Sequence, residues 1–336
     1  MRHERFKRPE QTTVYHCTSH LRGYVPYLGD ADKDHLRLLF QEYEAFCGVR
    51  VLAYCLMDNH FHAVVEVPPR PEVLPTAEEV VRRLEALTCV KVHPREVAQK
   101  VARLRDAGDA AGERAYLERF YQQMWDVSEY MKAVKQHFSA WHNRRSGKLG
   151  GLWKDRFHSV LVEPGEALLR VSTYVDLNPV RAGMTATPET HRWSSYSEAM
   201  AGSAAAKAGI QEVMSAWAGR PLGVEESLRE YRCQMYLRGE ERINAAGQVE
   251  RRGLRREEVV AMVSQRGVVT MAEYLGCRVR YFSDGLALGT REFVEGIFRK
   301  YRDGFGVRRK DGARSLAGLP PGNLYALRPY HRGALS

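Results

Sequence analysis

Nothing in the sequence has the spacing of a disulfide or zinc scaffold. The six cysteines (Cys17, Cys47, Cys55, Cys89, Cys233 and Cys277) are scattered and include no Cys-x-x-Cys pair. That excludes a cysteine-stapled fold and a zinc finger, and it fits a reducing compartment. No window approaches the ~18 consecutive apolar residues of a membrane span. The basic start, MRHERFKRPEQ, leads into no apolar segment, so no secretory leader is expected. A Gly-x-x-x-x-Gly-Lys-Ser/Thr phosphate loop is missing, which removes that route to ATP-driven chemistry. No segment repeats. The expectation is a cytoplasmic globular protein with no membrane partner.

What the sequence does have is bulk and positive charge. Its 336 residues exceed one ordinary domain, so two units are expected. Hydrophobic residues make up 44%, enough for a sizeable core. Fifty-one Lys and Arg against 41 Asp and Glu give a net charge of +10. That balance favours a polyanionic partner, nucleic acid first.

Periodicity and punctuation divide the first 200 residues. TVYHCTSHL (13–21) is rich in β-formers and reads as a strand, with turn residues in GYVPYLGD after it. Residues 31–47 carry Leu36, Leu39, Phe40 and Phe46 at helical spacing and stop at Gly48. Residues 49–67 read as a β-hairpin turning at Asp58-Asn59. A charged, Ala- and Arg-rich insertion at about 70–125 predicts several helices. A further helix over 127–143 carries Tyr130, Met131, Val134, Phe138 and Trp141 as a core stripe. HSVLVE predicts a strand. EPGEALLRVSTYVDLN predicts a helix that ends near Asn178, because Pro179 disfavours helical backbone in the residue before it. This order is α+β. AGSAAAKAG, just past residue 200, reads as a linker to a mainly helical second unit, 201–336, with a short strand at RVRYF (278–282).

Two places carry chemistry. In LMDNHFHAVVEVP (56–68), His60 and His62 alternate along a strand and so project to one face, where two imidazoles can share a divalent cation. Alone the signal is weak: among 12 histidines in 336 positions, roughly 0.4 chance His-x-His pairs are expected. The second place is the helix ending at Asn178. Tyr174 and Asn178 lie a turn apart, with Tyr174 away from the apolar face of Leu168, Val171 and Val175. A phenol is a poor nucleophile at its ordinary pKa of about 10, and a metal polarising the group under attack relieves that. An ordinary packed tyrosine is the plain alternative, there being 17 in the chain.

The combination resembles the REP-associated tyrosine transposases, a branch of the single-tyrosine HUH transposases of small bacterial insertion sequences. LMDNHFHAVVEV is similar to their His-hydrophobic-His strand, with Asp58 in place of the usual proline. GGLWKDRFHSVLVE is similar to their Leu-Trp-x-x-Arg-Phe block through Trp153, Arg156 and Phe157. TYVDLNPVRAGM resembles their Tyr-(Ile/Val)-x-x-Asn-Pro-Val signature, and WSSYSEA (193–199) is a fourth, weaker match. The resemblance covers about residues 13–200, in the family's order.

It implies a ferredoxin-like HUH domain with a central antiparallel sheet over 1–200; residues 201–336 lie outside the resemblance and read as an accessory unit. It implies Mg²⁺ or Mn²⁺ at His60, His62 and Asn178, and Tyr174 as the nucleophile that leaves a 5′-phosphotyrosine and a free 3′-hydroxyl. The partner implied is single-stranded or hairpin DNA of the palindromic-repeat type, met at the nucleoid by a monomer or homodimer. Lys154 and Arg156 would neutralise phosphates and Trp153 would stack a base, with core packing as the alternative for Trp153. A replication initiator or relaxase would place a lysine four residues after the tyrosine, or pair two tyrosines; Asn178-Pro179 fits the transposases better. A domesticated protein that grips DNA without cutting it would carry the same residues. Tyr130 is the rival tyrosine, but it lacks the Asn-Pro sequel. The helix TREFVEGIFRKYRDG (290–304) is expected either to bind DNA or to pack.

Overall fold

The computed structural model describes residues 6–23, 28–88, 92–147, 149–239, 242–243, 249–251, 253–255, 257, 259–260, 285–307, 309–316 and 324–328. The chain opens with strand β1 (Thr13–His20), helix α1 (Asp30–Cys47) and the hairpin β2 (Arg50–Leu56) and β3 (His60–Val67). Gly48 ends α1 in the left-handed conformation, φ 64°, which a side chain would resist. The insertion folds as α2 (Ala77–Glu85), α3 (Pro94–Asp106) and α4 (Ala110–Tyr121); Cys89 lies outside the described residues. Helix α5 (Val127–Ser146), strand β4 (His158–Val162) and helix α6 (Glu166–Asp176) follow.

These strands pair in the order β2-β3-β1-β4, all antiparallel. With α1 and α5 as the two crossovers, this is the βαββαβ ferredoxin-like arrangement. Strand alternation gives the sheet two apolar faces. Tyr15, Cys17, Phe61, Ala63, Val65 and Leu161 pack toward α1 and α5. Val14, Val64, Val160 and Val162 pack toward α6. Because both faces are covered, β3 is buried from Phe61 to Val67, the polar His62 and Glu66 included.

After α6 come the short α7 (Asn178–Arg181), α8 (Ser195–Met200), α9 (Ala204–Ala218) and α10 (Val224–Gly239). The strand pair β5 (Arg242–Ile243) and β6 (Val249–Arg251) is followed by β7 (Ala287–Gly289), α11 (Arg291–Lys300), β8 (Ala313–Ser315) and β9 (Tyr325–Leu327). The mainly helical character expected after residue 200 is present in α9, α10 and α11. The separation expected there is not. Strand β7 pairs with β4 in parallel, and β9 and β8 continue the sheet to seven strands, making it mixed rather than purely antiparallel. A parallel neighbour needs a long crossover, and α6 to α10 lie within it.

The segment read as a linker runs into the start of α9, and the glycine at its end has a packing cause. A Cβ on Gly209 would lie 2.6 Å from the Leu52 carbonyl oxygen, so glycine lets α9 lie on the backbone of β2. Helix α11 buries Val294, Ile297 and Phe298, which realises the packing alternative for that face. The strand expected at 278–282 lies outside the described residues.

Helix α6 is buried along its whole length, and a carboxylate anchors its end. Asp176, fully buried, accepts hydrogen bonds from the Tyr231 hydroxyl (2.6 Å), the Ser195 hydroxyl (3.0 Å) and the Tyr196 amide (3.2 Å), tying α6 to α8 and α10. Burial outweighs these donors and raises its pKa to about 6. The folded state thus holds this proton more tightly than the unfolded chain does. Its contribution to stability is complete below the ordinary value of 3.8 and is lost as pH rises through about 6. Asp176→Asn is therefore expected to flatten this part of the pH–stability curve by on the order of 2 kcal/mol, read from urea unfolding of both proteins at about pH 4.5 and 7.5.

Candidate active site

Register builds the site. Strands β1 and β3 pair with His20 opposite His60, Thr18 opposite His62 and His16 opposite Val64, while β4 sets His158 opposite Thr18. Directly paired residues share a face, so His16, His20, His60, His62 and His158 all project toward α6. Four of them form a row. His20 stacks on His60 with centroids 4.8 Å apart, His60 meets His62 edge-on at 5.0 Å, and His62 lies nearly parallel to His16 with centroids 5.2 Å apart. The row runs from solvent inward: His20 is exposed, His60 half-buried, and His62 and His16 are buried. His158 is turned to the Gly285 carbonyl oxygen, 3.0 Å away.

Burial, helped by neighbouring imidazoles, keeps His60 and His62 neutral. His60 is lowered to about 4, by desolvation first and then by His20. His62 is held well below its ordinary value by burial, then by His16, His60 and His20. A neutral imidazole keeps one lone pair for a ligand. His60 Nδ1 lies 2.7 Å from Asn59 Oδ1, an atom that can only accept, so His60 donates there and Nε2 retains the lone pair. The Nδ1 atom of His62 lies 3.0 Å from His16 Nε2.

The turn that starts β3 is clamped. Asp58 stands where the resemblance has proline, and its Oδ1 accepts from Lys33 Nζ of α1 at 2.6 Å. The lysine side chain is only 5% exposed, and its ammonium also lies over the Trp193 ring at 4.6 Å. Asp58→Ala strands that buried charge. It is expected to cost ~2–3 kcal/mol, seen as a lowered urea midpoint, with the loss reversed by Lys33→Met in the same chain.

Tyr174 descends from α6 onto the buried end of the row. Its ring is edge-on to His62 at 5.5 Å and to His16 at 6.1 Å, and it is 6% exposed. The guanidinium of Arg181, from α7, lies 5.2 Å from the Tyr174 ring centroid. The helical geometry expected around Asn178 is modified by Pro179. Lacking an amide N–H, the proline leaves the Val175 carbonyl without its helical donor. The Asn178 side-chain amide replaces it, donating to the Val175 oxygen (3.3 Å) and the Tyr174 oxygen (3.0 Å). That turns the amide nitrogen into the helix and leaves Oδ1 as the atom able to act as a ligand. Among the described residues no group of three or more His, Cys, Asp or Glu forms a metal cluster.

The loop after α5 lies elsewhere. Trp153 packs on the α1 and α5 side, 5.5 Å from Phe61 and 5.7 Å from Phe138, with its indole N–H donating to the Lys135 carbonyl at 3.1 Å. Trp153 and Arg156 line a cleft of about 510 Å³ along α5. A base stacked there would be on the far side of the sheet from Tyr174. Lys154 and Arg156 are exposed, and the Lys154 amide donates to the His20 carbonyl at 2.9 Å, which sets this residue at the open end of the histidine row.

Sequence reasoning missed His16, His20 and Arg181. The two histidines sit four apart on a segment already read as a strand, hence on one face. Only the pairing of β1 with β3 brings them against His60 and His62.

These features define an α+β protein that presents neutral imidazoles and a tyrosine on one face of its sheet. No family model matches the chain, and no curated protein does. Among solved structures it is similar to one described as a REP-associated tyrosine transposase bound to a REP hairpin. The two share 13% identity over 60% of this chain and 87% of that one, with a TM-score of 0.38. No helix among the described residues is long and apolar enough to cross a membrane.

Proposed function

We propose that the protein is a metal-assisted tyrosine transposase that nicks and rejoins hairpin-forming single-stranded DNA. The observation that carries this reading is the tyrosine of the Tyr-x-x-x-Asn-Pro segment lying edge-on, at 5.5 Å, against the second histidine of the His-x-His strand. These residues are more than 100 positions apart in the chain, and nothing in core packing calls for a row of imidazoles beneath that ring.

His60 and His62 would hold Mg²⁺ or Mn²⁺ through Nε2, with Asn178 Oδ1 as a third ligand. The neutral rings and committed Nδ1 atoms fit that role. A cation held there would neutralise and polarise the scissile phosphate. Tyr174 Oη forms the new bond to phosphorus as the bond from phosphorus to the 3′ oxygen breaks, and the proton lost by the phenol is balanced by the one the 3′ oxygen gains. Arg181 places a fixed positive charge beside the incoming phosphate. The phosphotyrosine conserves the bond energy, so a second 3′-hydroxyl can reverse the step without ATP.

Lys154 and Arg156 would guide the strand toward the open end of the row. Residues 1–200 would carry the chemistry, and 201–336 would cover α6 and extend the sheet. The test is incubation of the full chain with a panel of single-stranded hairpin DNAs and Mn²⁺. A covalent protein–DNA adduct on denaturing gels is expected. Tight, salt-sensitive binding with no adduct would replace the enzyme by a DNA-binding protein that does not cut.

A further inference from the structure

We infer that His16 is a positioning residue for the metal site, its Nε2 accepting a hydrogen bond from His62 Nδ1–H and so fixing the tautomer in which His62 presents Nε2 to a divalent cation. The metal half of this inference rests on the proposed function; the hydrogen bond does not.

The geometry allows two arrangements. His16 Nε2 and His62 Nδ1 are 3.0 Å apart, and the residues are 0% and 3% exposed, so one proton lies between them, away from water. If His16 donated it, neutral His62 would carry its own proton on Nε2 and have no lone pair to offer there. If His62 donates it, Nε2 is the ligand atom, as an acceptor on the other ring nitrogen arranges at metal sites in general. The neighbouring ring is already set this way, with His60 donating to Asn59 Oδ1 at 2.7 Å. One polarity along the row gives both histidines the same ligand atom.

The surroundings of His16 point to the same role. Its partners across the sheet are Val64 on β3 and Val160 on β4, both fully buried. An aliphatic residue would suit that position, and a buried imidazole there incurs a desolvation cost unless its nitrogens are used. The ring is nearly parallel to that of His62, at 16°, which brings the two nitrogens together in the ring planes.

The experiment uses the full chain, selectively labelled with ¹⁵N-histidine, and the variants His16→Phe and His16→Gln. Phenylalanine fills the space without an acceptor. Glutamine places an amide oxygen near the position of Nε2. In the metal-free protein, long-range ¹H–¹⁵N spectra are expected to show His62 as the Nδ1–H tautomer; an Nε2–H tautomer overturns the inference. Mn²⁺ titration by calorimetry is expected to give affinity ~10–100-fold weaker for His16→Phe, and within ~3-fold of the parent for His16→Gln. Equal affinity in all three, or a loss that glutamine does not rescue, also overturns it, the latter pointing to His16 as a ligand itself. If the parent chain binds no Mn²⁺, the metal reading of the site fails, and the tautomer still decides whether His16 orients His62.

Discussion

His62→Ala is expected to abolish measurable Mn²⁺ binding and to slow strand cleavage by on the order of 10²–10³-fold, the effect of removing a group that stabilises charge only as the reaction proceeds. The ring sits at the junction of the site: edge-on to His60 at 5.0 Å, nearly parallel to His16 at 5.2 Å and under Tyr174 at 5.5 Å. His60→Ala should act in the same direction but more weakly, because His60 is half-buried and lies toward solvent, where water can take its place. Calorimetry with Mn²⁺ and single-turnover cleavage are the readouts. Urea unfolding of the same variants separates a lost ligand from a lost fold, since truncating a buried ring also leaves a cavity. Unchanged Mn²⁺ affinity in His62→Ala would remove the histidine pair from the mechanism.

Tyr174→Phe is expected to remove the covalent DNA adduct, with cleavage reduced by ~10³-fold or more, the scale on which loss of a nucleophile is felt. Only one oxygen is deleted, and the ring keeps its edge contacts with His62 and His16, so stability should change little. Tyr130→Phe is the informative partner. Tyr130 is completely buried in α5 among the residues packed on the opposite face of the sheet, and its hydroxyl donates to the Phe40 carbonyl at 3.2 Å. Burial also drives its phenol well above the ordinary value. Tyr130→Phe should therefore keep the adduct and lose some stability through the missing hydrogen bond to the Phe40 carbonyl. The opposite pattern, adduct kept in Tyr174→Phe and lost in Tyr130→Phe, would reassign the nucleophile.

Much of the first 200 residues could be read from local patterns because each element carries its own punctuation. Gly48 stops α1, Asp58-Asn59 turns the hairpin, and Pro179 ends α6 within two residues of the expected place. His60 and His62 sharing a face followed from strand alternation alone. Their neighbours did not, because the register between β1 and β3 is set by packing on both faces and has no local signature. His16 and His20 thus lay in view on a correctly read strand with no visible partner. Tyr174 was expected on the less apolar side of its helix, whereas its ring faces the sheet, edge-on to His62 and His16, and is buried there.

Beyond residue 200 the signals were too short or were ambiguous. Strands β7, β8 and β9 have three residues each, below the length at which alternation can be counted. The run of small residues at 201–209 reads as a flexible linker by composition, yet Gly209 is small because α9 lies against the Leu52 carbonyl. A consequence is that deleting 205–336 strips the cover from α6 and the partner of β4. Such a deletion reports on folding before it reports on DNA affinity.

The most direct measurement is the identity of the residue that joins the DNA. The full chain is incubated with hairpin DNA and Mn²⁺, digested with nuclease and protease, and the nucleotide-bearing peptide is sequenced by mass spectrometry. The expected result is a 5′-phosphonucleotide on Tyr174 within the segment STYVDLNPVR. An adduct on Tyr130 or on any other residue, or cleaved DNA with no adduct at all, would contradict a site built from Tyr174 over the His60 and His62 pair.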